Sequence, residues 1–133
     1  MDASSFQKRL ASAFPGLLGI QFREVTPERI VASMEVRADM CNGADVLHGG
    51  ALMSLADTLG AVGTVVNMPE GARTTTIESK TNFLGAARVG ERVIGECTPI
   101  HRGKTTMVWQ TRVSLENGRL CAVVTQTQLI LPA

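Results

Sequence analysis

The sequence predicts an α+β domain in which an antiparallel β-sheet is wrapped around one long central helix. Three observations carry this expectation. Residues 51–68 form a segment that is apolar on nearly every side of a helix, the chain after Gly71 is almost entirely strand-like, and a short helix and a hairpin precede both. A helix that is apolar nearly all round needs cover on all sides, and a following meander is the element able to supply it.

The 133 residues suit a single domain, residues 1–133, with an adequate but modest core and no separate cofactor-binding unit. Lys+Arg 13 against Asp+Glu 12 argues against a strongly basic nucleic-acid binder, although a local basic cluster is still open. Cys41, Cys97 and Cys121 are an odd set without CxxC spacing, which argues against a disulfide framework or a zinc site. They read as reduced thiols in a cytoplasmic protein. The first sixteen residues have no long apolar stretch behind a basic start and do not read as a signal peptide. Ala51 to Met68 only marginally reaches membrane-spanning length and has Asp57 in its middle, which argues against a membrane span.

In order along the chain, Phe6, Leu10 and Phe14 recur at i, i+4 and i+8, so residues 4–14 are expected to form an amphipathic helix closed by Pro15-Gly16. Period-two alternation follows: Ile30, Ala32, Met34 and Val36 lie out of phase with Val31, Ser33, Glu35 and Arg37. With the turn at Thr26-Pro27-Glu28 this reads as a hairpin. The central helix has Ala51, Leu52, Leu55, Ala56, Leu59, Val62 and Val66 on a wide apolar surface and is stopped by Pro69-Glu70-Gly71. Gly60 and Gly63 each cost about 1 kcal/mol relative to Ala inside a helix, so close packing is expected at both. Strands are expected over 73–84, 91–101, 104–116 and 119–131. Met107, Trp109, Thr111, Val113 and Leu115 share one face, and Asn117-Gly118 signals a type I′ turn. Met34, Met40, Met53 and Met68 read as core or interface filling.

The stretch that carries chemistry is Asn42 to Asp57, NGADVLHGGALMSLAD. Gly49 and Gly50 follow His48 where an irregular loop becomes the helix. Glycines allow a ligand close to the backbone, and the first-turn N–H groups and the helix dipole favour negative charge there. Such a place suits a phosphate or a polarised carbonyl; the same residues also suit a tight loop-to-helix turn. Asp57 lies on the same helix, between Ser54 and Thr58. An acid on a largely buried helix suits a base or nucleophile, unless that strip is simply the solvent face. Nine positions separate His48 from Asp57, about 13.5 Å along a helix axis. If both serve one reaction centre, the centre lies between two protomers.

N-x5-HGG-x6-A-D, followed by TTTIESKTNFL and VGE, resembles the hotdog-fold acyl-CoA thioesterases of the phenylacetyl-CoA thioesterase type, over about Leu18 to Leu131. The resemblance implies a homodimer, as in many relatives a homotetramer, with active sites at the protomer interface. It further implies Asp57 as general base or nucleophile on the thioester, the Gly49 N–H as polariser of the carbonyl, and His48 as a residue ordering the loop. Asn42 would orient water or the thioester from the partner side, and Thr76 would hold water near the acid. Basic residues at the Arg88-Val89-Gly90 turn and at His101-Arg102-Gly103-Lys104 would meet the CoA phosphates, with Gly50 beside them in substrate binding. These basic residues equally suit solvated turns, and His101 has no assigned role.

Thioester hydrolysis needs an oxyanion donor, a base and a placed water, without a metal or other cofactor. With only His48 and His101, a Ser-His-Asp triad has no support. Direct attack by Asp57 and activation of water both stay open, as does the carrier, CoA or acyl carrier protein. The main alternative is a hotdog protein that binds acyl-CoA without turnover, as a sensor or carrier. A hydratase is disfavoured because such relatives carry an Asp five residues before the histidine, where this chain has Gly43.

Overall fold

The computed structural model describes all residues, Met1–Ala133. The chain forms α1 (Ala3–Leu10), α2 (Phe14–Leu17), β1 (Gln21–Thr26), β2 (Arg29–Glu35), α3 (Gly49–Asn67), β3 (Arg73–Phe83), β4 (Arg92–Arg102), β5 (Thr106–Leu115) and β6 (Leu120–Leu131). The six strands make one antiparallel sheet in the order β1-β2-β4-β5-β6-β3. The helix α3 contacts every strand, so the sheet curls around it.

The central helix provides the core. Leu55, Ala56 and Leu59 are fully buried, and Leu52 and Val62 nearly so. Its apolar length is therefore enclosed by the sheet. Gly60 and Gly63 are where the sheet approaches closest: a Cβ at Gly60 would lie 2.3 Å from the Gln126 amide, and one at Gly63 2.8 Å from the Trp109 ring. Trp109 is fully buried and donates its indole N–H to Thr64 Oγ1 at 2.9 Å. On β4, Gly95 leaves room for Leu59. Burial pushes the Cys97 thiol up to about 12.

Two local expectations are corrected. The first helix stops at Leu10, and Pro15-Gly16 lie within α2 instead of closing α1. A Cβ on Gly16 would sit 2.0 Å from the Ala11 carbonyl oxygen, so α2 folds back tightly on the end of α1. As a result Phe14 is exposed while Phe6 is buried. Second, the β5–β6 turn is not type I′, because Asn117 does not have positive φ, whereas Gly118 does at +92°. The Gly118 N–H bonds to Leu115 O, and Leu115 N–H to Arg119 O, both at 2.9 Å. This is a type I turn followed by a glycine bulge, which also matches the twist of the flanking strands.

The two sheet edges differ. On the β1 side, Gln7 of α1 caps the edge: its Nε2 donates to Ile20 O at 3.0 Å and its Oε1 accepts from Phe22 N–H at 2.8 Å. The β3 edge is eleven residues long, with Ile77, Phe83 and the following Leu84 exposed.

Candidate active site

Every candidate residue can be located relative to α3. His48 is the N-cap, with extended backbone, and its Nδ1 accepts from Gly50 N–H at 2.8 Å. This bond requires a bare Nδ1, so the ring proton sits on Nε2. The N–H of Ala51 bonds to His48 O at 2.9 Å. Gly49 is thus the one N–H of the first turn with no acceptor in the chain. Gly50, by contrast, has its N–H occupied by the histidine cap. A Cβ at Gly49 would lie 2.9 Å from the Phe83 ring, which places this exposed aromatic at the end of β3 directly beside the free N–H.

The loop before the helix is held by short-range bonds. Asn42 Oδ1 accepts from Ala44 N–H at 2.9 Å and Val46 N–H at 3.3 Å, leaving only its Nδ2 without a partner. Asp45 adopts φ +58°, and Leu47 N–H bonds to Ala87 O, tying the loop to the segment that contains Arg88.

Asp57 sits eight residues beyond Gly49, about 12 Å along the helix. The carboxylate is partly buried, and its Oδ1 accepts from the Thr76 hydroxyl at 2.6 Å. The flanking hydroxyls do not serve it: Ser54 donates to Gly50 O and Thr58 to Ser54 O, both at 2.8 Å. Thr76 points inward because β3 carries a bulge. Thr76 pairs with Gln128 and Glu78 with Thr127, so Ile77 is the extra residue. Thr74 and Thr76 face inward before the bulge, and Ser79 and Thr81 after it.

Behind Thr76 lies a polar arrangement that sequence reasoning missed. Gln126 and Gln128 of β6 are 1% and 0% exposed, beneath α3. Their signal was available: in LCAVVTQTQLIL both glutamines are in phase with Val124 and Ile130 on the core face.

Asp57 also lines a cleft of about 340 Å³ between the N-terminal helices and α3, together with Phe6, Leu10, Phe14, Val65 and Arg9. The basic residues are divided. Arg102, Gly103 and Lys104 border a second cavity of about 510 Å³ with Asn67, at the C-terminal end of α3. Arg102 is tied to the β1–β2 turn, donating to Pro27 O at 3.2 Å, while Lys104 makes no ion pair. His101 packs over Gly103. Arg88 is at the opposite end, near the N-terminus of α3. No three His, Cys, Asp or Glu side chains are grouped as a metal site.

A six-stranded antiparallel sheet curled round one long helix is the hotdog architecture, and relatives of this chain include named thioester hydrolases. The thioesterase superfamily matches residues 44–122, and the chain belongs to that family. It is 34% identical over 116 residues to the 1,4-dihydroxy-2-naphthoyl-CoA hydrolase of Escherichia coli (strain K12), covering 87% of this chain and 85% of that protein. It is 30% identical over 104 residues to the proofreading thioesterase EntH of Cronobacter turicensis, covering 78% and 75%. Among solved structures, a mutant of thioesterase PA1618 from Pseudomonas aeruginosa superposes with a TM-score of 0.94 at 28% identity, covering all of this chain and 96% of that one. The chain is accordingly an enzyme of the thioesterase class.

Proposed function

We propose that this protein hydrolyses acyl-CoA thioesters at two equivalent sites, each formed by Gly49 of one protomer and Asp57 of another. One observation carries the reading. The only unpaired N–H of the α3 first turn and the strand-held carboxylate lie about 12 Å apart on the same helix, too far to act on one carbonyl. Pairing two copies through the open β3 edge would bring the N-terminus of one α3 towards the middle of the other. An unpaired strand edge is a template for such pairing, and exposed Ile77, Phe83 and Leu84 supply apolar surface for it.

In this arrangement the thioester carbonyl oxygen accepts from Gly49 N–H, at the positive end of the α3 dipole. The Asp57 carboxylate activates water, or attacks the carbonyl carbon itself. The tetrahedral oxyanion then collapses, the C–S bond breaks, and the thiolate leaves as CoA and takes up a proton; on the direct-attack route water then hydrolyses the acyl–Asp57 anhydride, releasing the acid and restoring the carboxylate. The mainly apolar cleft beside Asp57 receives the acyl group. Arg88, in the segment bonded to the loop before Gly49, and Lys104, which makes no ion pair, are basic residues available to the phosphates of the CoA nucleotide. The CoA named in the Escherichia coli relative supports this carrier.

The test is complementation. Asp57→Ala removes the carboxylate. Gly49→Pro removes the N–H at a position where proline is tolerated, the first of the helix after an already extended residue, although its Cβ also pushes the exposed Phe83 ring aside. Each variant alone is expected to lose at least about 100-fold in kcat. Mixed dimers made by co-expression are expected to recover activity at the one site whose carboxylate and N–H are both intact. No recovery in verified mixed dimers would overturn the shared site, and an active Asp57→Ala variant would overturn the carboxylate assignment.

A further inference from the structure

The reading of Asp57 as the reacting carboxylate leaves open which of its two oxygens reacts and what holds the group in place. The answer lies in the buried amides of β6. A primary amide in an apolar interior is costly unless its hydrogens and oxygen are satisfied. Here both hydrogens of the Gln128 amide are used, with Nε2 donating to Thr76 Oγ1 at 2.6 Å and to Gln126 Oε1 at 2.7 Å. Gln128 Oε1 lies 2.9 Å from the Thr74 hydroxyl, whose one proton is shared with Leu129 O at 3.0 Å. Gln126 Nε2 donates to Ala56 O at 2.6 Å, the carbonyl of the residue just before Asp57. Gly60 makes room for this, since a Cβ there would overlap the Gln126 amide.

The network has a direction, set by Asp57 in its proposed role as a carboxylate. A carboxylate can only accept, so the single hydroxyl proton of Thr76 points at Asp57 Oδ1. Thr76 Oγ1 must then face a donor on its other side, which is Gln128 Nε2. Its second hydrogen goes to Gln126 Oε1, which turns the Gln126 amide nitrogen towards Ala56. Gln128 is the branch point: one arm of donors runs through Thr76 to the carboxylate, and the other runs through Gln126 to the helix backbone one residue earlier.

We infer that Gln128 is a positioning residue for catalysis: acting through Thr76, it commits Oδ1 of Asp57 to a hydrogen bond and leaves Oδ2 as the reacting oxygen. Gln128 is fully buried and does not touch Asp57, so its effect on rate passes through the orientation of the Thr76 hydroxyl. Without the Gln128 donor, that hydroxyl is free to turn away, and the carboxylate samples orientations in which neither oxygen is aligned with the carbonyl. The inference rests on the proposed role of Asp57.

The experiment is a double-mutant cycle in kcat and KM on the best substrate from an acyl-CoA panel. Gln128→Met keeps the side-chain length and removes the donor. It is expected to lower kcat by up to about tenfold, the upper end for one neutral hydrogen bond, with KM changed less than about twofold. In a Thr76→Val background the same substitution is expected to cost nothing further. If Gln128→Met leaves kcat unchanged, or multiplies its loss on top of Thr76→Val, the inference is wrong. Should the methionine variant fail to fold, Gln128→Asn, which keeps an amide but is too short to reach Thr76, gives the same readout. Asp57→Asn measured alongside separates the two layers: if it retains full turnover, the role of Asp57 itself is refuted, whatever Gln128 does.

Discussion

The Thr76 hydroxyl donates to Oδ1 of Asp57 across 2.6 Å, although nineteen positions separate the two residues in the chain. The bulge at Ile77 makes this contact possible. Ser79 and Thr81 face inward further along β3, and in an unbroken strand of period two the residue in phase with them would be Ile77, not Thr76. The extra residue resets the phase, so that a hydroxyl instead of a branched apolar side chain meets the acid.

Thr76→Val keeps the shape and removes both hydrogen bonds of the hydroxyl, the one to Asp57 and the one from Gln128. A bond to a charged group is worth about 1.5–3 kcal/mol, so kcat is expected to fall about 10- to 100-fold. Thr76→Ser should remain within about threefold. Steady-state kinetics on purified variants, with circular dichroism to verify folding, checks both; equal loss in the serine variant would mean the methyl group is what matters.

Two glycine-to-alanine changes should diverge in stability. Gly60→Ala drives a methyl into the buried Gln126 amide and is expected to destabilise by about 1–3 kcal/mol. Gly43→Ala meets nothing within 4 Å and lies outside the positive-φ region, so it should be neutral or stabilising by up to about 1 kcal/mol. Urea unfolding of the two variants against wild type measures the difference.

His48 acts on stability as the helix cap. His48→Ala is expected to cost about 1 kcal/mol, and His48→Asn to recover most of it, because asparagine is a strong N-cap. Denaturation midpoints read this directly. A histidine-to-alanine variant as stable as wild type would show that the Nδ1 bond to Gly50 N–H contributes nothing.

The cysteines offer a pH prediction. Burial raises all three thiols, Cys97 from the ordinary 9.0 to about 12. The native protein at pH 8 should therefore label with a thiol reagent slowly and first at Cys41, the least buried, with Cys97 protected until unfolding. The sign for stability follows from linkage. Above pH 9 the unfolded chain loses the Cys97 proton while the folded chain keeps it until about pH 12. Stability from this group is thus complete below pH 9 and falls by about 1.4 kcal/mol per pH unit between the two values. Chemical denaturation of wild type and Cys97→Ala at pH 8 and 10 checks it: the pH-dependent loss should be smaller in the variant.

Much of the fold could be read from the sequence because its elements have simple periods. Leu52, Leu55, Ala56, Leu59 and Val62 announce a helix needing cover on all sides, and Met107 to Leu115 alternate as a core strand. The misjudged places are those where the period runs on past the real boundary. Phe14 continues the spacing of Phe6 and Leu10, yet the chain turns at residues 11–13 and Gly16 then packs back on the Ala11 carbonyl. Asn117-Gly118 is a two-residue signal, whereas the turn geometry is set by three residues and the twist of the strands.

For the candidate site, residue order alone placed His48, Gly49 and Asp57 on one helix and made their separation about 12–13.5 Å, because helical rise is constant. Tertiary structure decided everything that depends on contacts across the chain. It determined that the Phe83 ring lies against Gly49, and that a strand bulge aims Thr76 at the acid. It also buried Gln126 and Gln128 behind that threonine. Periodicity says which face a side chain points to. Which donor it meets there is fixed by strand register and helix placement, and these are set by the packing of the whole core.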